Sequence, residues 1–127
     1  MEKAKEYVAV NHLSVNFRGF IENTAKYVER ASFMFVSRYL GILEAMVSKK
    51  YVLAVYNNKI KEDYLRMTPF SDCLSISSNA NEIYKELKRC LLNEEQKNAK
   101  INKAYDWVKD KTWDNMVNVY LKLWSTS

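Results

Sequence analysis

Two uninterrupted apolar runs, Phe33-Met34-Phe35-Val36 and Tyr51-Val52-Leu53-Ala54-Val55-Tyr56, constrain the fold of this chain more than any other feature. A strand with one wet face alternates apolar and polar residues. A continuous run marks a strand covered on both faces, as in a parallel sheet. Between the runs Leu40, Leu43, Met46 and Val47 fall at i, i+3, i+6 and i+7, one face of a helix. Residues 32 to 56 therefore read as a βαβ unit. In such a unit the strand's carboxyl end and the next helix's first turn face a ligand crevice, where free backbone N–H groups favour an anion. Ser37, Arg38, Tyr39, Leu40 and Gly41 occupy that position, with Glu44 about one turn inside.

The remaining elements follow from period and punctuation. Residues 3 to 12 read as a helix, although Tyr7-Val8-Ala9-Val10 also fits a short strand. Leu13, Val15 and Phe17 alternate with polar residues, which predicts a half-buried strand ending at Gly19. Asn23 or Thr24 caps a short helix through Arg30. After the βαβ unit, Asn57-Asn58 is a turn, and Ile60, Tyr64, Leu65 and Met67 predict a helix stopped by Pro69. Residues 73 to 77 read as the last strand. Asn79 and Glu82 form a capping pair ahead of Ile83, Leu87, Cys90 and Leu91. A charged helix over 94 to 110 turns Ile101, Tyr105 and Val108 inward. The last helix carries Trp113, Met116, Val117, Tyr120, Leu121 and Trp124 at helical spacing, which predicts packing rather than a stacking platform.

Strands alternating with helices imply an α/β chain. The expected architecture is a partial Rossmann-like three-layer domain over residues 1 to 127, with a parallel sheet of about four strands flanked by helices and closing C-terminal helices. In a sheet of order 3-2-1-4-5-6, the strand at 14 to 18 would be strand 3 and that at 33 to 37 strand 4. The two strands normally between them have no counterpart. An unfilled edge leaves unpaired N–H and C=O groups, a template for association. Either residues 14 to 18 slide beside 33 to 37, or another chain fills the gap.

Ser37-Arg38-Tyr39-Leu40-Gly41-Ile42-Leu43-Glu44-Ala45-Met46 resembles the donor-site segment of retaining, nucleotide-sugar-dependent glycosyltransferases of the GT-B fold (glycosyl transferases group 1). Val15 to Phe20 resembles that family's "V-x-F-x-G" strand and turn. Tyr27 to Phe33 resembles its short helix leading into a buried strand. Ala104-Tyr105-Asp106-Trp107 with Thr112-Trp113 resembles its C-terminal "A-x-x-W…S-W" helices. The likeness runs from about residue 14 to 124. It implies the later part of a donor-binding domain, lacking its first strands and the acceptor domain. Binding of a nucleotide-diphosphate sugar is implied, with transfer completed by the missing segments or a partner, so the isolated chain is expected to be inactive. A non-catalytic interaction module with the same half-domain fold is the alternative.

On that resemblance the backbone N–H groups of Gly41, Ile42 and Leu43 meet the donor diphosphate, where preorganised dipoles stabilise the departing charge. Gly41 also suits a plain tight turn. Glu44 accepts hydrogen bonds from the ribose hydroxyls, a task two carboxylate oxygens fit. It also suits an acid facing the helix dipole. Ser37 and Arg38 are candidates to touch phosphate, and Arg38 also fits an exposed turn. Gly19, Phe20 and Ile21 fall beside the nucleotide base, or form an ordinary turn. The family's usual Glu-x7-Glu pair is broken, because Val36 stands eight residues before Glu44. No residue is assigned to catalysis.

Composition sets the outer limits. At 127 residues the chain is one domain, with 48% hydrophobic and 28% charged residues. No stretch approaches the roughly 20 apolar residues of a membrane span. The start, Met-Glu-Lys-Ala-Lys-Glu, lacks a signal peptide's apolar core, so a cytoplasmic location is expected. Cys73, Cys90 and the single His12 match no metal-ligand spacing, so neither metal nor resident cofactor is expected. The net charge of +5 comes from Lys and Arg interleaved with acids, as in Lys85-Glu86-Leu87-Lys88-Arg89. That pattern is a solvated helix face rather than a nucleic-acid stripe. A basic surface also suits peripheral contact with anionic lipid. Self-association is expected through the open sheet edge near residues 14 to 37 or through an exposed C-terminal Trp face, a second copy being the simplest cover.

Overall fold

The computed structural model describes residues 1 to 126. The central strand is β2, Tyr51–Val55, with β1, Phe33–Phe35, on one side and β3, Ser75–Ser77, on the other. All pairings are parallel, and the order is β1-β2-β3. The chain is thus α/β, with a small open sheet of three parallel strands. Seven helices are present among the described residues.

Register explains which residues face which layer. Phe33 pairs with Tyr51 and Leu53 with Ser75, so these four side chains share one face. Met34, Val52, Ala54 and Ile76 share the other. The first face packs on α5, Ala80–Leu92, through Ile83, Leu87 and the buried Cys90. The second packs on α3, Tyr39–Val47, and α4, Lys59–Arg66, through Ile42, Met46 and Leu65. Helix α6, Glu94–Val108, serves both cores, giving Ile101 to the first and Ala104 and Val108 to the second. Phe70, fully buried, sits edge-on to Trp107 at 4.8 Å and tilted to Tyr39 at 5.6 Å.

Side-chain caps start most of the helices. Asn58 accepts from the Lys61 N–H, Asn79 from those of Asn81 and Glu82, and Asn93 from Gln96. Thr112 does the same through the Asn115 N–H for α7, Trp113–Ser125. At the short α2, Ala25–Arg30, Asn23 rather than Thr24 supplies the side-chain acceptor, 3.1 Å from the Ala25 N–H. Helix α1, Glu2–Val10, and helix α3 close in the same way. His12 and Lys49 take positive φ, while the residues after them, Leu13 and Lys50, bond back to Val8 and Ala45.

Three expectations are corrected. Residues 14 to 18 form no strand: the stretch from Leu13 to Ile21 carries no helix or strand, and Val15 and Phe17 are exposed. The sheet therefore has three strands, not four. The last strand begins at Ser75 because Ser71–Cys73 winds into a 3-10 turn, which takes Cys73 out of the sheet. The inward face of α3 is Ile42, Ala45 and Met46, whereas Leu40 and Val47 are exposed. The one charged residue of the helix, Glu44, lies on the same outward side as Leu40 and Val47. No helix among the described residues is long and apolar enough to cross a membrane.

Candidate functional site

The carboxyl ends of β1 and β2 open onto a shallow cleft of about 350 Å³, lined by Ser37, Val55, Tyr56, Asn57, Asn58 and Lys61. Lys61 reaches across from the first turn of α4, and its ammonium donates to the Ser37 carbonyl. It also lies 4.7 Å from the centre of the Tyr64 ring. Asn58 Nδ2 donates to Asn57 Oδ1 at 3.1 Å, which ties the loop to itself. A cation thus sits where β1 passes into α3.

Arg38 is the extended residue just before α3 and makes no side-chain cap. Its carbonyl accepts from the Ile42 N–H at 2.9 Å, so the Ile42 donor expected at the diphosphate is already engaged. The donors left over at a helix start are those of its first three residues, here Tyr39, Leu40 and Gly41. The Ile42 side chain is fully buried and Leu43 half-buried. A Cβ added at Gly41 would meet only the Val36 side chain, at 3.6 Å, an ordinary contact. Gly41 is therefore not demanded by the local packing.

Glu44 is exposed on the flank of α3 that faces α2. It shares a different cleft with Val28, Glu29, Ser48 and Lys50. Lys50 there donates to the Glu29 carbonyl at 2.9 Å. Ser37, Arg38 and Gly41 are held together by the β1–α3 junction, and Glu44 is not brought into the Ser37–Lys61 cleft. Gly19, with φ of +65°, turns the unpaired N-terminal stretch. Phe20 is 93% exposed and Ile21 half-buried. None of these three lines that cleft.

A polar cluster escaped the sequence reading. On the α5 face, the Tyr51 and Ser75 hydroxyls both donate to Glu86 Oε1 and lie 2.8 Å apart. Arg89 grips the same carboxylate through Nε at 3.0 Å and Nη2 at 2.7 Å, and reaches Gln96 through Nη1. Lys100 donates to Ser75 Oγ at 3.0 Å. The Arg89 hydrogen bonds hold the Glu86 carboxyl down at about 2, against the opposing effect of burial. Burial pushes the Tyr51 hydroxyl up, and the neighbouring Glu86 adds to it. Burial also pushes the Lys100 ammonium down. A cleft of about 430 Å³ runs beside this cluster.

The only signal in the sequence was Ser75 and Ser77 alternating through an otherwise apolar strand. Among the described residues no buried side-chain polar atom lacks a hydrogen-bond partner. The cluster is therefore a satisfied network that ties β2, β3, α5 and α6 together. Cys73 and Cys90 are buried and unpaired in any disulfide. No group of three or more His, Cys, Asp or Glu residues is placed to hold a metal among the described residues. No family model, curated protein or solved structure matches this chain.

Proposed function

We propose that this chain binds a nucleotide-diphosphate sugar, as the donor-binding part of a GT-B-type retaining glycosyltransferase whose other segments or partner complete the transfer. The observation carrying this reading is the β1–α3 junction. Three parallel strands in consecutive order suit either half of a doubly wound sheet, and we read them as strands 4-5-6. In that arrangement the ligand crevice falls at the carboxyl end of strand 4, where Ser37 to Gly41 lie. The free amides of Tyr39, Leu40 and Gly41 offer donors to a diphosphate. Lys61 and Arg38 add positive charge beside it. Together they would stabilise the leaving diphosphate as its charge builds, without reorienting. Glu44 serves the ribose only if the nucleotide lies along the α2-facing flank of α3.

Uridine and guanosine diphosphates and their sugars, titrated while backbone amide shifts are followed, test this. The expected response is concentrated at Tyr39 to Gly41 and at Lys61, and weakened by Lys61→Ala. Unchanged spectra at millimolar ligand would overturn it. The large exposed apolar surface favours a second reading, a non-catalytic interaction module on the same half-domain fold. That module would keep its partner contacts while giving no amide response to nucleotides.

A further inference from the structure

Both crossovers of the sheet step the same way. From β1 through α3 to β2, and from β2 through α4 to β3, the chain crosses in one direction with its helix on one side. Parallel crossovers are right-handed almost without exception. Helix α2 lies on that same side, because its Val28 and Glu29 share a cleft with Glu44 and Ser48 at the later half of α3. Its last turn sits at the amino ends of the strands, where Lys50, just ahead of β2, donates to the Glu29 carbonyl at 2.9 Å. A strand entering α2 from the opposite end would complete a third crossover. The same hand places that strand on the free edge of β1, away from β2. The connection has room, since residues 19 to 32 separate Arg18 from Phe33 and a parallel crossover needs about a dozen residues.

That edge is unfilled. The Val36 N–H bonds the Leu53 carbonyl at 3.1 Å and the Tyr51 N–H bonds the Ser32 carbonyl at 3.2 Å, so alternate residues of β1 face β2. The N–H and C=O groups of Phe33 and Phe35 therefore point outward, a ready template for another strand. The Phe35 side chain is also 57% exposed.

Chain order delivers one segment to this place, Leu13 to Arg18. Leu13, Val15 and Phe17 alternate with Ser14, Asn16 and Arg18, the pattern of an edge strand with one covered face. All three apolar side chains are exposed where the segment now lies. Gly19 follows directly at φ of +65°, and nothing lies within 4 Å of where its Cβ would be. A glycine so placed is a hinge that can turn without steric cost.

We propose that residues 13 to 18 are a strap that swings about Gly19 and pairs parallel with β1, closing the free edge from within the same chain. The conformation described above is its open state. Closure also sets Arg18 at the carboxyl ends of the strands, beside Ser37. The pairing does not rest on donor binding and is read without nucleotide.

Residue-by-residue amide exchange of the full chain tests the strap. In the parent, the Phe33 and Phe35 amides should exchange about tenfold or more slowly than in the double variant Val15→Pro, Asn16→Pro. Two adjacent prolines remove a ladder donor in either register. Both positions lie outside every helix and strand, and continued protection of Val52 and Leu53 checks that the core is folded. Equal rates at Phe33 and Phe35 in the two proteins would overturn the strap. Nuclear Overhauser contacts between the amides of residues 13 to 18 and those of β1 should appear, and in a mixture of labelled and unlabelled chains they should stay within one chain. Contacts found only between chains would also overturn it, because a second copy would then fill the edge.

Discussion

Replacing Glu86 by Gln tests the polar network through its pH dependence. The carboxylate accepts from Tyr51, Ser75 and Arg89, and its pKa falls from the ordinary 4.5 to about 2. A group depressed on folding contributes stability that is present above its unfolded value and is lost as the pH drops through its folded value. The window therefore runs from about pH 5 down to about pH 2. At 1.36 kcal/mol per pH unit the depression corresponds to about 3 kcal/mol. The Arg89 side chain is 46% exposed, so solvent and salt screen its attraction and reduce the contribution to about 1–2 kcal/mol. Urea unfolding at a series of pH values, on the parent and on Glu86→Gln, reads the difference directly. The parent should lose about 1–2 kcal/mol more than the variant between pH 5 and pH 2. At pH 7 the variant should be less stable by a similar amount, and the gap should narrow with acid. Parallel stability curves for the two proteins would refute the assignment, because the pH-linked stability would then reside in other groups.

Phe70→Ala empties a fully buried site between Tyr39 and Trp107, so unfolding free energy should fall by about 3–5 kcal/mol; a loss under about 1 kcal/mol would mean the core closes over the gap. Glu44→Gln should leave the melting temperature nearly unchanged, since the side chain is exposed. If the carboxylate accepts ribose hydroxyls, the same change weakens nucleotide binding by about 1–3 kcal/mol. Equal binding by variant and parent, measured by calorimetry, removes Glu44 from the site.

The βαβ unit was legible in the sequence because its signals are local. Phe33 to Val36 and Tyr51 to Tyr56 are apolar without alternation, and a parallel strand covered on both sides requires that pattern. The same holds for α5, where Asn79 both announces and makes the cap, and for the end of α4 ahead of Pro69. The junction at Ser37 to Gly41 followed from chain order, since a helix after a buried strand must begin near that strand's carboxyl end. Helical spacing predicted packing for the last helix, yet α7 buries none of its residues, so the spacing gave its apolar face but not a cover.

Tertiary structure decided everything that depends on a neighbour far along the chain. Leu13, Val15 and Phe17 alternate as a strand should, but alternation describes the faces of a strand and supplies no edge to pair with. The stretch stays outside the sheet, whose β1 edge is left open. Helix α3 is apolar except for Glu44, and its packing on β2 and α6 sets Ile42, Ala45 and Met46 inward and leaves Glu44 toward α2. Tyr51 and Glu86 are 35 positions apart, and Lys61 and Ser37 are 24 apart. Local pattern fixes which residues can be buried or can cap. It carries no information on which two distant polar groups will meet, because that depends on how the sheet and helices dock.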